Sequence, residues 1–214
     1  MSVAQRKEQR EALGSKAEAI LSAAERAFLA QGFGAVSMDG IAREAGVSKA
    51  TVYAHFAHKE ELFGAVIAAV SERRFGGFSA LELDASDIER SLLTIAQRYL
   101  DLVLSPEAIA ANRIIIGEVT RFPVLGELFW AAGPERIRGQ IEAFLGRAIA
   151  LGSLDTPDAR LAAEQFVSLV RGEIHLRRLL RLGPEGDAAG LAAAAESAVE
   201  TFLRAFRPAN RRAR

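Results

Sequence analysis

The chain has 214 residues, half of them hydrophobic, with 27 basic and 27 acidic side chains and no cysteine. That suffices for one large or two modest cores, while the absence of thiols excludes a disulfide framework and a thiolate metal site. The polar opening MSVAQRKEQREALGSK lacks the apolar centre of a signal peptide, and no run approaches the roughly 18 to 20 apolar residues of a membrane helix, so a soluble, cytoplasmic chain is expected.

Apolar residues recur at spacings of three and four almost throughout, and strand-like alternation is missing, which predicts an all-α fold. Residues 1–14 read as a flexible basic arm carrying Arg6, Lys7 and Arg10, close to Lys16. A first helix is predicted from about Ser15 to Gln31 on the stripe Ile20, Ala23, Ala24, Ala27 and Phe28, with Gly32 stopping it. Phe33 and Val36 then close a small core.

Residues 37–59 read as two short helices pinned at a sharp corner. Ser37 can cap a helix carrying Met38, Ile41, Ala42 and Ala45, and Ser48 can cap one carrying Val52, Tyr53 and Phe56. Gly46 stands between them, where a positive φ is required and glycine accepts it with least strain. This is the helix-turn-helix layout, whose second helix enters the DNA major groove. The zero net charge does not oppose that reading, because Lys49 and Lys59 flank the second helix and the basic arm precedes it, so positive potential is local.

From Ile20 to Val70 the chain resembles the amino-terminal domain of the TetR/AcrR transcriptional regulators. The resemblance rests on Ala24, Phe28, Gly32 and Phe33, then Ile41-Ala42, Ala45-Gly46-Val47-Ser48, Thr51-Val52-Tyr53, His55-Phe56 and Lys59-Glu60-Glu61-Leu62. It departs at Ala50, where the family often has glycine. It implies a DNA-binding domain at 15–57 and a connector helix at 58–77 that carries Leu62, Phe63, Val66, Ile67 and Val70. The implied DNA contacts are Ser37, Met38, Ser48, Lys49, Ala50, Thr51, Tyr53, His55 and Lys59. Tyr53 and Lys59 would hold phosphates, and Lys49, Ala50 and Thr51 would face the groove.

A second helical domain is expected at 78–206 and a flexible basic tail at 207–214. Asp84 to Asp87 offers caps for a helix with Ile88, Leu92, Ile95, Tyr99, Leu102 and Val103, and Pro106 opens the next. Pro123 starts a further segment, interrupted at Gly133-Pro134 and resumed to Gly152. Arg113-Ile114-Ile115, Gly117-Glu118, Arg121-Phe122-Pro123 and Gly133-Pro134 resemble the carboxy-terminal domain of the AefR-like subset of the family. The polar Asn112 and Arg113 fall on or beside an apolar face. With Tyr99 and Trp130 they are the candidate lining of a cavity for a hydrophobic small-molecule effector. Helices at 157–182 and 187–206 carry apolar arcs too wide for one packing partner and are the expected homodimer surface, with Gly172 allowing close approach.

Catalysis has little to stand on. His55, His58 and His175 form no metal-ligand pattern, and no phosphate-cradling loop, nucleophile elbow or paired carboxylates are recognisable, so no enzyme, metal or cofactor is expected. Two functions remain: a homodimeric repressor released from a palindromic double-stranded operator by a hydrophobic ligand, and a helical interaction or sequestering protein that no longer reads DNA. A degenerate reading head would have lost its tyrosine, its connector lysine or its corner glycine, whereas Tyr53, Lys59 and Gly46 are all present.

Overall fold

In the computed structural model, which describes residues 3–75, 83–182 and 188–208, every regular element is a helix. None of these helices is long and apolar enough to cross a membrane. The chain divides into two units, one formed by Met1–Val70 with Ala110–Gly133 and the other by Ser71–Ile109 with Pro134–Arg214. Residues 110–133 thus pack with the amino-terminal helices and not with the rest of the expected 78–206 domain. The physical reason is that Ala111, Ile115 and Leu125 are buried in the first core.

The first unit opens with α1 (Val3–Ala35), which begins ahead of the expected Ser15 and so takes most of the predicted arm into helix. Gly32 adopts φ 77°, ψ 166° and breaks the helical path where the sequence predicted a stop. Two short helices follow, α2 (Met38–Glu44) and α3 (Lys49–His55), and then α4 (Lys59–Phe75). An aromatic group holds the core together. Phe28, Phe33 and Phe63 meet one another at centroid distances of 5.3 to 5.7 Å, and Phe122 adds an edge-to-face contact with Phe33 at 5.2 Å. Leu125 belongs to α7 (Val124–Trp130), and Ala111 and Ile115 to α6 (Pro106–Glu118). Both α4 and α6 have residues in each unit.

The second unit is built on α5 (Ile88–Val103), α8 (Arg136–Ala150), α9 (Ala159–Leu179) and α10 (Ala188–Phe206). Asp87 caps α5 from within the run the sequence offers, and α6 opens at Pro106 as expected, with Ser105 capping it by accepting from the Ala108 amide at 3.1 Å. The core runs through Leu92, Ile95, Ile141, Phe144, Phe166 and Phe202, with Phe166 edge-on to Phe202 at 5.1 Å. The interruption expected at Gly133-Pro134 takes the form of a π-helical turn, Ala131–Glu135, that leads straight into α8, a wider turn that accommodates the missing proline N–H. The helix expected over 157–182 is kinked, because Gly172 stands at φ 48°, ψ −155°, a conformation largely restricted to glycine. Gly76-Gly77 and Gly183-Pro184, which the sequence suggests as helix breaks, Asp187, which it suggests as the cap of the last helix, and the tail beyond Pro208 lie outside the described residues.

Candidate nucleic-acid interface

The corner between α2 and α3 is set by local chemistry. Gly46 adopts φ 67°, and the amides of Gly46 and Val47 return to the carbonyls of Arg43 and Ala42 at 3.3 and 3.1 Å. Those bonds satisfy carbonyls left open at the end of α2, which is why a left-handed residue is needed there. Ser37 caps α2 by accepting from the Gly40 amide at 3.1 Å, and Ser48 caps α3 by accepting from the Thr51 amide at 3.1 Å. Ile41, Ala42 and Val52 are buried between these helices and α1. What remains outside is a polar face of α3: Lys49, Ala50 and Tyr53 are exposed, with Thr51 and His55 half-buried. The Thr51 hydroxyl is shared with Ser48 Oγ at 2.8 Å, so its methyl is the part left for other contacts.

Two of the expected DNA contacts are placed differently. Met38 is 7 % exposed and belongs to the core of the first unit. Lys59 is turned inward: its Nζ donates to the carbonyls of Phe33 and Val36, both at 2.7 Å, and stands 4.3 Å from the centre of the Phe33 ring. Burial pushes its pKa below the ordinary 10.5, opposed by the charges of Glu60 and Glu118. An ammonium has three donors, so one N–H of Lys59 remains beyond these two carbonyls. Its main work in this structure is to hold the Phe33–Val36 segment, and through it the Ser37 cap.

Two carboxylates that the sequence did not assign to this site complete it. Glu118, the last residue of α6, accepts the Gly34 amide at 3.1 Å, so the segment pinned by Lys59 is also pinned from α6. Asp39, in the first turn of α2, accepts the Lys49 ammonium at 2.9 Å. That hydrogen bond, and then the charge of Asp39, raise the Lys49 pKa above 10.5, and the ammonium also stands 5.9 Å from the Tyr53 ring centre. An acid at a helix start is a weak clue to Asp39; nothing in local spacing pairs Glu118 with Gly34.

The candidate effector residues are spread over both units. Tyr99 is buried in the second core, its hydroxyl raised above the ordinary 10.0 by burial and lowered by Arg171 to a lesser degree. Asn112 and Arg113 are half-buried on α6, and Trp130, at the end of α7, is 50 % exposed.

Comparisons with known proteins agree on one family. Residues 20–66 match the model for bacterial regulatory proteins of the tetR family, and residues 90–208 match the carboxy-terminal domain of AefR-like transcriptional repressors. The HTH-type transcriptional regulator SrpR of Pseudomonas putida is 38% identical over 100 residues, which cover 45% of this chain and 44% of SrpR. The chain therefore spans less than half the length of that relative. Among solved structures, the flavonoid-responsive regulator FrrA is 38% identical, with a TM-score of 0.75 over 94% of this chain and 100% of FrrA. A TetR-family regulator from Mesorhizobium loti MAFF303099 is 28% identical, with a TM-score of 0.80 over 92% of this chain and 98% of its own. With a family model matching more than half its length and a full-length relative at 38% identity, this chain belongs to the TetR family of bacterial regulators, with an AefR-like carboxy-terminal domain.

Proposed function

We propose that the chain is a homodimeric transcriptional repressor that binds a near-palindromic operator and is released from it by a hydrophobic, aromatic small molecule. The observation that carries the DNA half of this reading is the α2–α3 corner. It is capped at both helix starts, turned at Gly46, and leaves Lys49, Ala50 and Tyr53 exposed on the second helix. In this reading α3 lies in the major groove, where Lys49 meets guanine acceptors and the Ala50 and Thr51 methyls meet thymine. Tyr53, His55, the hydroxyls of Ser37 and Ser48 and the remaining N–H of Lys59 hold phosphates and set register.

The effector half rests on relationship and chemistry together. FrrA is flavonoid-responsive, and aromatic faces with polar handles are the kind that accept a planar polyphenol; Tyr99 offers one in the second unit, and Asn112, Arg113 and Trp130 offer such groups separately in the first. A ligand can act only through unequal affinity for the DNA-competent and DNA-incompetent shapes, and α4 and α6 are two helices that have residues in both units. A coupling of about 1 to 3 kcal/mol would shift operator occupancy several-fold or more.

Selection of bound duplexes from a random pool, followed by fluorescence anisotropy with a flavonoid panel, tests both halves. Enrichment of a two-fold symmetric motif, weakened by at least one flavonoid, is expected. Failure to enrich any sequence removes the DNA reading. A flavonoid that raises the melting temperature but leaves DNA affinity unchanged establishes a site and removes the switch.

A further inference from the structure

The Gly46 corner brings an acid and a base from different helices together on the exposed face of the reading head. Asp39 Oδ2 accepts Lys49 Nζ at 2.9 Å, across a separation of ten residues, and both side chains are largely solvent-exposed. Lys49 is the first residue of α3, the helix that enters the groove in the reading above. An exposed pair of this kind contributes little to folding stability. A carboxylate on a DNA-facing surface also opposes every phosphate it approaches, so general affinity does not account for Asp39 either.

What the pair does offer is a donor and an acceptor side by side. In the major groove a single G·C base pair presents the complement: the guanine O6 and N7 accept, and the cytosine N4 amino group donates. An A·T pair in the same orientation sets the adenine N6 donor against the ammonium and the thymine O4 against the carboxylate, and in the reverse orientation the thymine methyl takes the place of guanine N7. Lysine alone is a point charge on a flexible stem that takes any nearby phosphate. Held by Asp39, and with Tyr53 alongside, its ammonium is kept at the start of α3.

We propose that Asp39 and Lys49 act as one unit that reads a single G·C base pair in each half-site, Lys49 contacting guanine and Asp39 accepting from cytosine N4. Asp39 is then a specificity-determining residue, and this assignment rests on the DNA-binding reading above.

The experiment is duplex selection with wild type, Asp39→Ala, Asp39→Asn and Lys49→Ala, each checked for an unchanged melting temperature. Anisotropy then follows on the wild-type motif with each base pair exchanged in turn. Wild type should show one G·C position per half-site whose exchange to A·T costs about tenfold or more in affinity. In Asp39→Ala that cost should fall several-fold at this position only. Binding to unrelated duplex should strengthen and its salt dependence steepen by about one phosphate, as the freed lysine takes a backbone contact. In the Lys49→Ala background, replacing Asp39 should change discrimination at that position little further. If Asp39→Ala and Asp39→Asn keep the wild-type preference at every position while Lys49→Ala loses it, Lys49 reads alone and the pair is overturned. Equal losses on all sequences in Asp39→Ala likewise overturn it. A wild type that enriches no motif defeats the DNA reading itself, an outcome distinct from both.

Discussion

At the scale of single residues, Lys59 separates two roles that a basic side chain next to a recognition helix can play. Its ammonium makes two bonds to backbone carbonyls and one contact with a phenyl face, all on the segment leading into α2. Replacing Lys59 with methionine leaves the Phe33 and Val36 carbonyls without that donor. The expected cost is about 2 kcal/mol in urea unfolding, since hydrogen bonds to charged groups contribute about 1.5 to 3 kcal/mol. A lysine that only held phosphate would leave the unfolding midpoint in place. The pH signature follows from the lowered folded pKa, whose first cause is burial. Between that lowered value and 10.5 the unfolded chain binds more protons, so stability rises with pH, and the gain is lost as pH falls through the folded value. Unfolding measured across that alkaline window should show this slope in wild type and its loss in the methionine variant.

At the scale of elements, the end of α6 is tied to the last residues of α1, past the Gly32 break. Glu118 accepts the Gly34 amide across a sequence separation of 84 residues, and Phe122 packs edge-on to Phe33. Gly34 gives the carboxylate room, because a Cβ there would lie 3.2 Å from Glu118 Oε1. Glu118→Ala should raise the hydrogen-exchange rate of the Gly34 amide and cost about 1 kcal/mol of stability, the usual net contribution of one such bond. Glu118→Gln keeps an acceptor and should restore protection. Fast exchange at Gly34 in the glutamine variant as well would mean that charge, and not the hydrogen bond, anchors the segment. Local opening of this kind is measurable without any ligand in hand.

At the scale of the whole molecule, the proposed dimer surface rests on leucines that the second core leaves outside. Ala163, Phe166 and Val170 of α9 are buried, while Leu161, Leu169 and Leu176 on the same helix, and Leu180 just after it, are 41 to 60% exposed. Two faces of one helix therefore carry apolar side chains, as its sequence pattern predicts. Gly172 is a poor place to test this. At φ 48° any other residue is strained by about 1 to 3 kcal/mol, so a bulky substitution there would confuse backbone damage with lost association. Leu169→Glu combined with Leu176→Glu is the cleaner probe. Sedimentation should show a monomer with a largely unchanged melting temperature, and operator affinity should fall with the loss of paired reading heads. A dimer that survives both substitutions would move the interface elsewhere.

The sequence by itself determined the all-helical class, the two capped helices of the reading head and the left-handed Gly46 corner. Each depends on residues within one or two turns, where apolar spacing, a serine or aspartate cap and a glycine leave little choice. It also marked the apolar second stripe of α9, because a helix face is a repeat of three and four. Only the tertiary structure decided that Lys59 turns inward to carbonyls 23 and 26 residues away, and that Met38 is core. The same holds for Asp39 meeting Lys49, and for residues 110–133 packing with the amino-terminal helices. These outcomes depend on which distant surfaces a charged or apolar side chain meets once the helices have packed. Local spacing carries no record of that, since a lysine at the start of α4 has the same neighbours in sequence whether its ammonium faces phosphate or the protein's own backbone.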